Sequence, residues 1–90
     1  MQRTKSEQLF EQAQKYIPGG VNSPVRSFRA VGGTPAFLAR GQGSQVWDVD
    51  GNEYIDYPMG LGSVTLGHNY PRVTQAIKDQ LEDGMSFSLM

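Results

Sequence analysis

The stretch SQVWDVDGNEYIDY (44–57) sets two runs of alternating apolar and polar residues on either side of Asp50-Gly51-Asn52. A side-chain period of two belongs to a strand with one buried face. Asp-Gly accepts positive φ and closes a tight hairpin between such strands. The reading is a strand over about 45–50 and a return strand over about 53–57. On the return strand Glu53, Ile55 and Tyr57 share one face, and Tyr54 and Asp56 the other. Upstream, PAFLAR (35–40) is apolar and runs into Gly41-Gln42-Gly43, a second turn. Together these strands make a small three-stranded antiparallel meander.

Helices flank it. Leu9, Phe10, Ala13, Tyr16 and Ile17 recur at three and four, opposite Glu7, Gln8, Glu11, Gln12 and Lys15. That spacing predicts an amphipathic helix over about 5–17. Thr4 and Glu7 stand in capping-box spacing, with Ser6 as a rival cap, and Pro18 and Gly19-Gly20 stop the helix. A second helix is predicted over about 71–83, with Asn69 or Tyr70 at its cap and Pro71 in its first turn. Val73, Ala76, Ile77 and Leu81 are its expected buried stripe, and Gly84 its stop. The fold class is therefore an α+β fragment: N-terminal helix, long Gly/Pro loop over 18–34, meander, C-terminal helix.

Composition narrows the function. Ninety residues allow one domain at most. There is no cysteine, so no disulfide or thiolate metal site, and the lone His68 argues against a histidine metal site. The net charge is −1 and the eight basic residues are scattered, so no nucleic-acid partner is expected. No apolar run approaches the about 20 residues of a membrane span, and the N-terminus lacks a signal-peptide core. A cytoplasmic protein without a membrane partner is the expectation. The tail GMSFSLM (84–90) carries no charge, which reads as a chain cut in mid-sequence.

Few residues carry chemistry on their own. Asp48, Asp50 and Asp56 are read as turn and strand carboxylates rather than acid/base groups. His68 lacks a nucleophile at a recognisable spacing, so capping or core hydrogen bonding is expected of it. The glycines of PMGLGSVTLGHNYP (58–71) do not form a dinucleotide fingerprint and read as sites of close backbone approach. Arg26 and Arg29 are different. A guanidinium is a planar fork that matches a carboxylate or phosphate. Asn22, Ser23 and the glycines around them have the composition of an anion-recognition loop, though composition alone slightly favours an idle linker. A small independent anion-binding module is one function that follows from the first alternative.

Several strings resemble a known family. PGGVNSPVR (18–26), VGGTP (31–35), DVDGNEYIDY (48–57) and LGHNYP (66–71) occur in the order seen at the N-terminus of the glutamate-1-semialdehyde 2,1-aminomutases. These are class III aminotransferases, which use pyridoxal 5'-phosphate on the fold-type I scaffold. The resemblance runs from about Ser6 to Phe87. It implies a homodimeric parent enzyme that acts on a small amino or oxo acid on the way to 5-aminolevulinate. It implies Arg26 as the residue holding the substrate carboxylate, Ser23 as its neighbour on the loop, and Leu61 as a substrate-pocket position. Leu61 stands where the aminomutases carry tryptophan, and GLGSVTLGH (60–68) is closer to the general class III pattern. Another amino/oxo substrate is therefore the alternative. The resemblance places no catalytic, cofactor-binding or metal-binding residue in this segment. The lysine that anchors the cofactor lies outside it, and the fragment alone is expected to be inactive.

Overall fold

The computed structural model describes residues 1–23 and 26–88. Pro24 and Val25 of the long loop, and Leu89 and Met90 of the tail, lie outside the described residues. In chain order the elements are helix α1 (Thr4–Gln14), strands β1 (Leu38–Gln42), β2 (Gln45–Asp48) and β3 (Glu53–Ile55), and helix α2 (Pro71–Asp83). The sheet is antiparallel throughout, in the order β1-β2-β3. The expected α+β arrangement is the observed one.

Helix α1 ends three residues before its expected end, since Gln14 and not Ile17 closes it. The cause is Pro18. A residue before proline is pushed out of the α region, and Ile17 is extended, at φ −123° and ψ 128°. The chain then doubles back. Gly20, at φ +73°, lies so close to α1 that a Cβ there would sit 2.6 Å from the Phe10 ring. The capping box does not form either. Arg3 occupies the N-cap position without a side-chain bond, and Thr4 is already helical. The cap comes from far along the chain. Asp50, in the β2–β3 turn, accepts from the amides of Lys5 (2.7 Å) and Ser6 (2.9 Å). Ser6, fully buried, accepts from the Phe37 amide through Oγ at 3.2 Å.

That last bond corrects the first strand, which covers Leu38–Gln42 and not 35–40. Pro35 has no N–H to give a ladder, and the Phe37 amide is already spent on Ser6. At its other end β1 continues through Gly41 and Gln42, because Gly43-Ser44 alone makes the turn and Gln42 pairs with Gln45. A bulge between Leu38 and Arg40 sets Arg40 opposite Trp47. The guanidinium carbon stands 3.6 Å from the ring centroid, a cation–π contact. Strand β2 ends at Asp48, whose amide donates to the Asn52 carbonyl at 3.0 Å, and β3 begins at Glu53 as expected but ends at Ile55 rather than Tyr57.

The core is thin. Val46 is the one buried hydrophobic residue among those described, beside buried Ser6 and Asp48. Helix α2 matches its expected range, with Tyr70 at the N-cap, Pro71 at its start and Gly84 at φ +100° after its end. Its stripe is not buried, however. Val73, Ile77 and Leu81 are 45%, 51% and 56% exposed. Sequence spacing correctly gives the apolar face, but nothing among the described residues covers it.

Candidate functional site

The connector after α1 folds into two neighbouring grooves. Arg26, exposed, borders one of about 580 Å³ with Ile17, Val21, Phe28, Phe37 and Leu38. Ser23 and Arg29 border the other, of about 740 Å³, with Pro18 and Ser27. Ile17, Val21 and Asn22 line both. The Arg26 amide donates to the Ser23 carbonyl at 3.0 Å. Among the described residues no carboxylate forms an ion pair with the Arg26 guanidinium. The Arg26 groove thus joins an apolar wall to one cationic fork, the pairing that suits an acid with an apolar or uncharged body.

The carboxylates sit in hydrogen-bonded turns, Asp56 falling just beyond the end of β3 rather than on it. Asp48 is a turn hub. Its Oδ1 accepts from the amides of Asp50 and Asn52, and its Oδ2 from Asn52 Nδ2 (2.9 Å) and the Tyr54 hydroxyl (2.8 Å). Burial works to raise its pKa, but these four donors outweigh it and bring the group from the ordinary 3.8 down to about 2. The Tyr54 hydroxyl is pushed up, first by its bond to Asp48 and then by burial. Asp50 is lowered: burial opposes ionisation, and the Ser6 and Lys5 amides more than compensate.

Asp56 and His68 form a pair, Oδ2 to Nε2 at 2.6 Å. The other oxygen of Asp56 accepts from the Met59 amide at 3.1 Å. The bond to His68 chiefly lowers the Asp56 pKa, against burial and helped by the Met59 amide. Between the two partners runs a left-handed turn: φ is +48° at Met59, +61° at Gly60, +56° at Leu61 and +95° at Gly62. Non-glycine residues in that region cost about 1–2 kcal/mol each, so something must hold Met59 and Leu61 there. Leu61 crowns the turn, 95% exposed, and lines neither connector groove. Ser23 and Arg26 therefore border adjoining grooves, and Leu61 borders neither. No local sequence pattern announces the Asp56–His68 contact. Its partners are twelve residues apart, and the sequence shows only a hydrogen-bonding role for His68.

The described residues contain no cluster of acidic or histidine groups able to hold a metal, and no helix long and apolar enough to cross a membrane. A covalent cofactor anchor needs a desolvated lysine. Lys5, Lys15 and Lys78 are all exposed, and all lie on or beside helices. These residues do not fit the imine chemistry of pyridoxal phosphate.

Known proteins share this arrangement. The class III aminotransferase family matches residues 28–90, and the chain belongs to that family. Over 97% of its length it is 56% identical to the glutamate-1-semialdehyde 2,1-aminomutase of Thermodesulfovibrio yellowstonii, of which it covers 20%. It superposes with a TM-score of 0.83 and 26% identity on the glutamate-1-semialdehyde-aminomutase of Pseudomonas aeruginosa, covering 98% of this chain and 19% of that one. A transaminase solved with PLP bound gives 0.84 at 32% identity, over 99% and 20%. The chain thus spans about a fifth of the length of the relatives it matches.

Proposed function

We propose that these residues form the N-terminal segment of a pyridoxal-phosphate enzyme that isomerises glutamate 1-semialdehyde to 5-aminolevulinate. The observation that carries this is the Arg26 groove: a guanidinium that forms no ion pair among the described residues, beside an apolar wall, in a chain 56% identical to an aminomutase. Arg26 binds and orients the substrate carboxylate, and Ser23 supports the same loop. Leu61, which borders neither groove of this segment, contributes an apolar wall to the pocket that the remainder of the enzyme completes. The cofactor supplies the electron sink when bound, and its lysine lies in the remainder of the enzyme. The segment alone is inactive, and the working enzyme is a cytoplasmic homodimer.

One residue favours a second reading. Leucine at position 61 offers neither the large ring nor the N–H donor of a tryptophan. A pocket walled this way suits an aminotransferase with another amino/oxo substrate.

Kinetics of the full-length enzyme carrying this segment separate the two. Turnover of glutamate 1-semialdehyde without an external amino donor supports the aminomutase; a strict need for a donor supports the aminotransferase. In either case Arg26→Ala raises KM for the carboxylate substrate about ten- to a hundredfold, the loss of one hydrogen-bonded charge contact. An unchanged KM removes Arg26 from the site.

A further inference from the structure

The segment from Tyr57 to Gly67 is a loop whose two ends meet on one hairpin turn. At its start the Asp56 amide donates to the Ser44 carbonyl at 2.8 Å. At its end His68 and Gly43 exchange both backbone bonds, at 2.8 and 2.9 Å. The side chains then close the neck. The Asp56 carboxylate holds His68 Nε2 with one oxygen and the Met59 amide with the other. The imidazole is itself seated, because it lies against Gly41 so closely that a Cβ there would meet its Cγ at 2.7 Å. Met59 is the first residue of the left-handed turn that presents Leu61. Within the turn the Leu61 amide donates to the Pro58 carbonyl at 2.9 Å, and Val64 to Met59 at 3.0 Å.

We infer that the Asp56–His68 pair is a positioning device for substrate selection: it fixes the neck of this loop and so sets where Leu61 stands in the pocket. The inference rests on the proposed role of Leu61. Neither residue touches substrate. The carboxylate restrains the amide that begins the turn, and the histidine restrains the carboxylate. Without the pair, Met59 and Leu61 have less to hold them at positive φ, and the wall of the pocket becomes mobile.

The test uses the full-length enzyme with His68→Ala, His68→Gln and Asp56→Asn. His68→Ala is expected to raise KM for the amino substrate about tenfold, with kcat reduced less and the absorbance of the bound cofactor unchanged. His68→Gln keeps an N–H able to reach Asp56 and recovers most of the loss. A crystal structure of the His68→Ala enzyme shows Leu61 outside the left-handed region. If His68→Ala does not accumulate as folded protein, Asp56→Asn, of equal shape, carries the same comparison. Wild-type KM in both His68→Ala and Asp56→Asn, with Leu61 still left-handed, overturns the inference. A wild-type enzyme without aminomutase or aminotransferase activity overturns the functional reading instead.

Discussion

Asp48 shows how much a single side chain does in a chain with so little apolar core. It is 3% exposed and gathers two backbone amides, an amide side chain and a phenol. Its folded pKa of about 2 lies below the ordinary 3.8. The sign follows from which state holds the proton more tightly. The unfolded chain binds it first, so the stabilisation is complete above about pH 4 and is lost as the pH falls toward 2. Thermal melts are expected to show a level midpoint from neutrality to about pH 4.5 and then a steep fall. Asp48→Asn flattens that fall and lowers the midpoint at pH 7, since an amide cannot accept from four donors. A fall of equal steepness in the variant excludes Asp48 as its cause. The sequence shows this residue only as a strand carboxylate beside Asp-Gly. Its hub role depends on Tyr54 and Asn52 folding back over it, a matter of turn geometry rather than of local pattern.

At the scale of elements, periodicity and punctuation read well and long-range bonds do not. The Asp50-Gly51-Asn52 turn and the range of α2 follow from local chemistry, and the structure has both. The missed cap of α1 and the late start of β1 share a physical cause. Helix α1 is capped by a residue 44–45 positions away, and β1 starts late because the Phe37 amide serves a serine 31 positions back. No window of sequence contains either pair. These bonds also predict what fastens α1 to the sheet. Ser6→Ala leaves the Phe37 amide without a partner in a closed site, at a cost of about 1–3 kcal/mol. Asp50→Ala frees the Lys5 and Ser6 amides. Hydrogen exchange is expected to quicken at residues 5 and 6 in Asp50→Ala, and at residue 37 in Ser6→Ala, while exchange within α2 stays unchanged. Equal protection in wild type and variants shows that α1 is held by its apolar face instead. The candidate site divides the same way. Loop composition and resemblance single out Arg26 and Ser23 as candidates, whereas no local pattern announces the Asp56–His68 contact at the neck of the Leu61 turn.

Taken whole, the chain does not close on itself. A compact chain of 90 residues has a radius of gyration of about 12 Å, and here it is 16.1 Å. A domain of this size has little stability to spare even when it is compact. Apolar side chains stay uncovered on and around α2: Val73, Ile77 and Leu81 on the helix, and Leu66, Met85 and Phe87 beyond its ends, each between 45% and 77% exposed. Contiguous apolar surface of this kind drives association in water. The contrast with an independent anion-binding module is direct, because such a module would fold cooperatively as a monomer. The 90-residue chain alone is expected to sediment as a mixture of self-associated species, and to melt broadly rather than in one sharp step. Replacing Val73 and Ile77 together by lysine should shift sedimentation toward the monomer without sharpening the melt, since the change removes stickiness and adds no core. A sharp melt of a monomeric wild-type chain would sink this expectation and favour the independent module. In that case carboxylate binding through Arg26 would be measurable on the isolated chain, and an enzyme segment that needs the remainder of its fold would not show it.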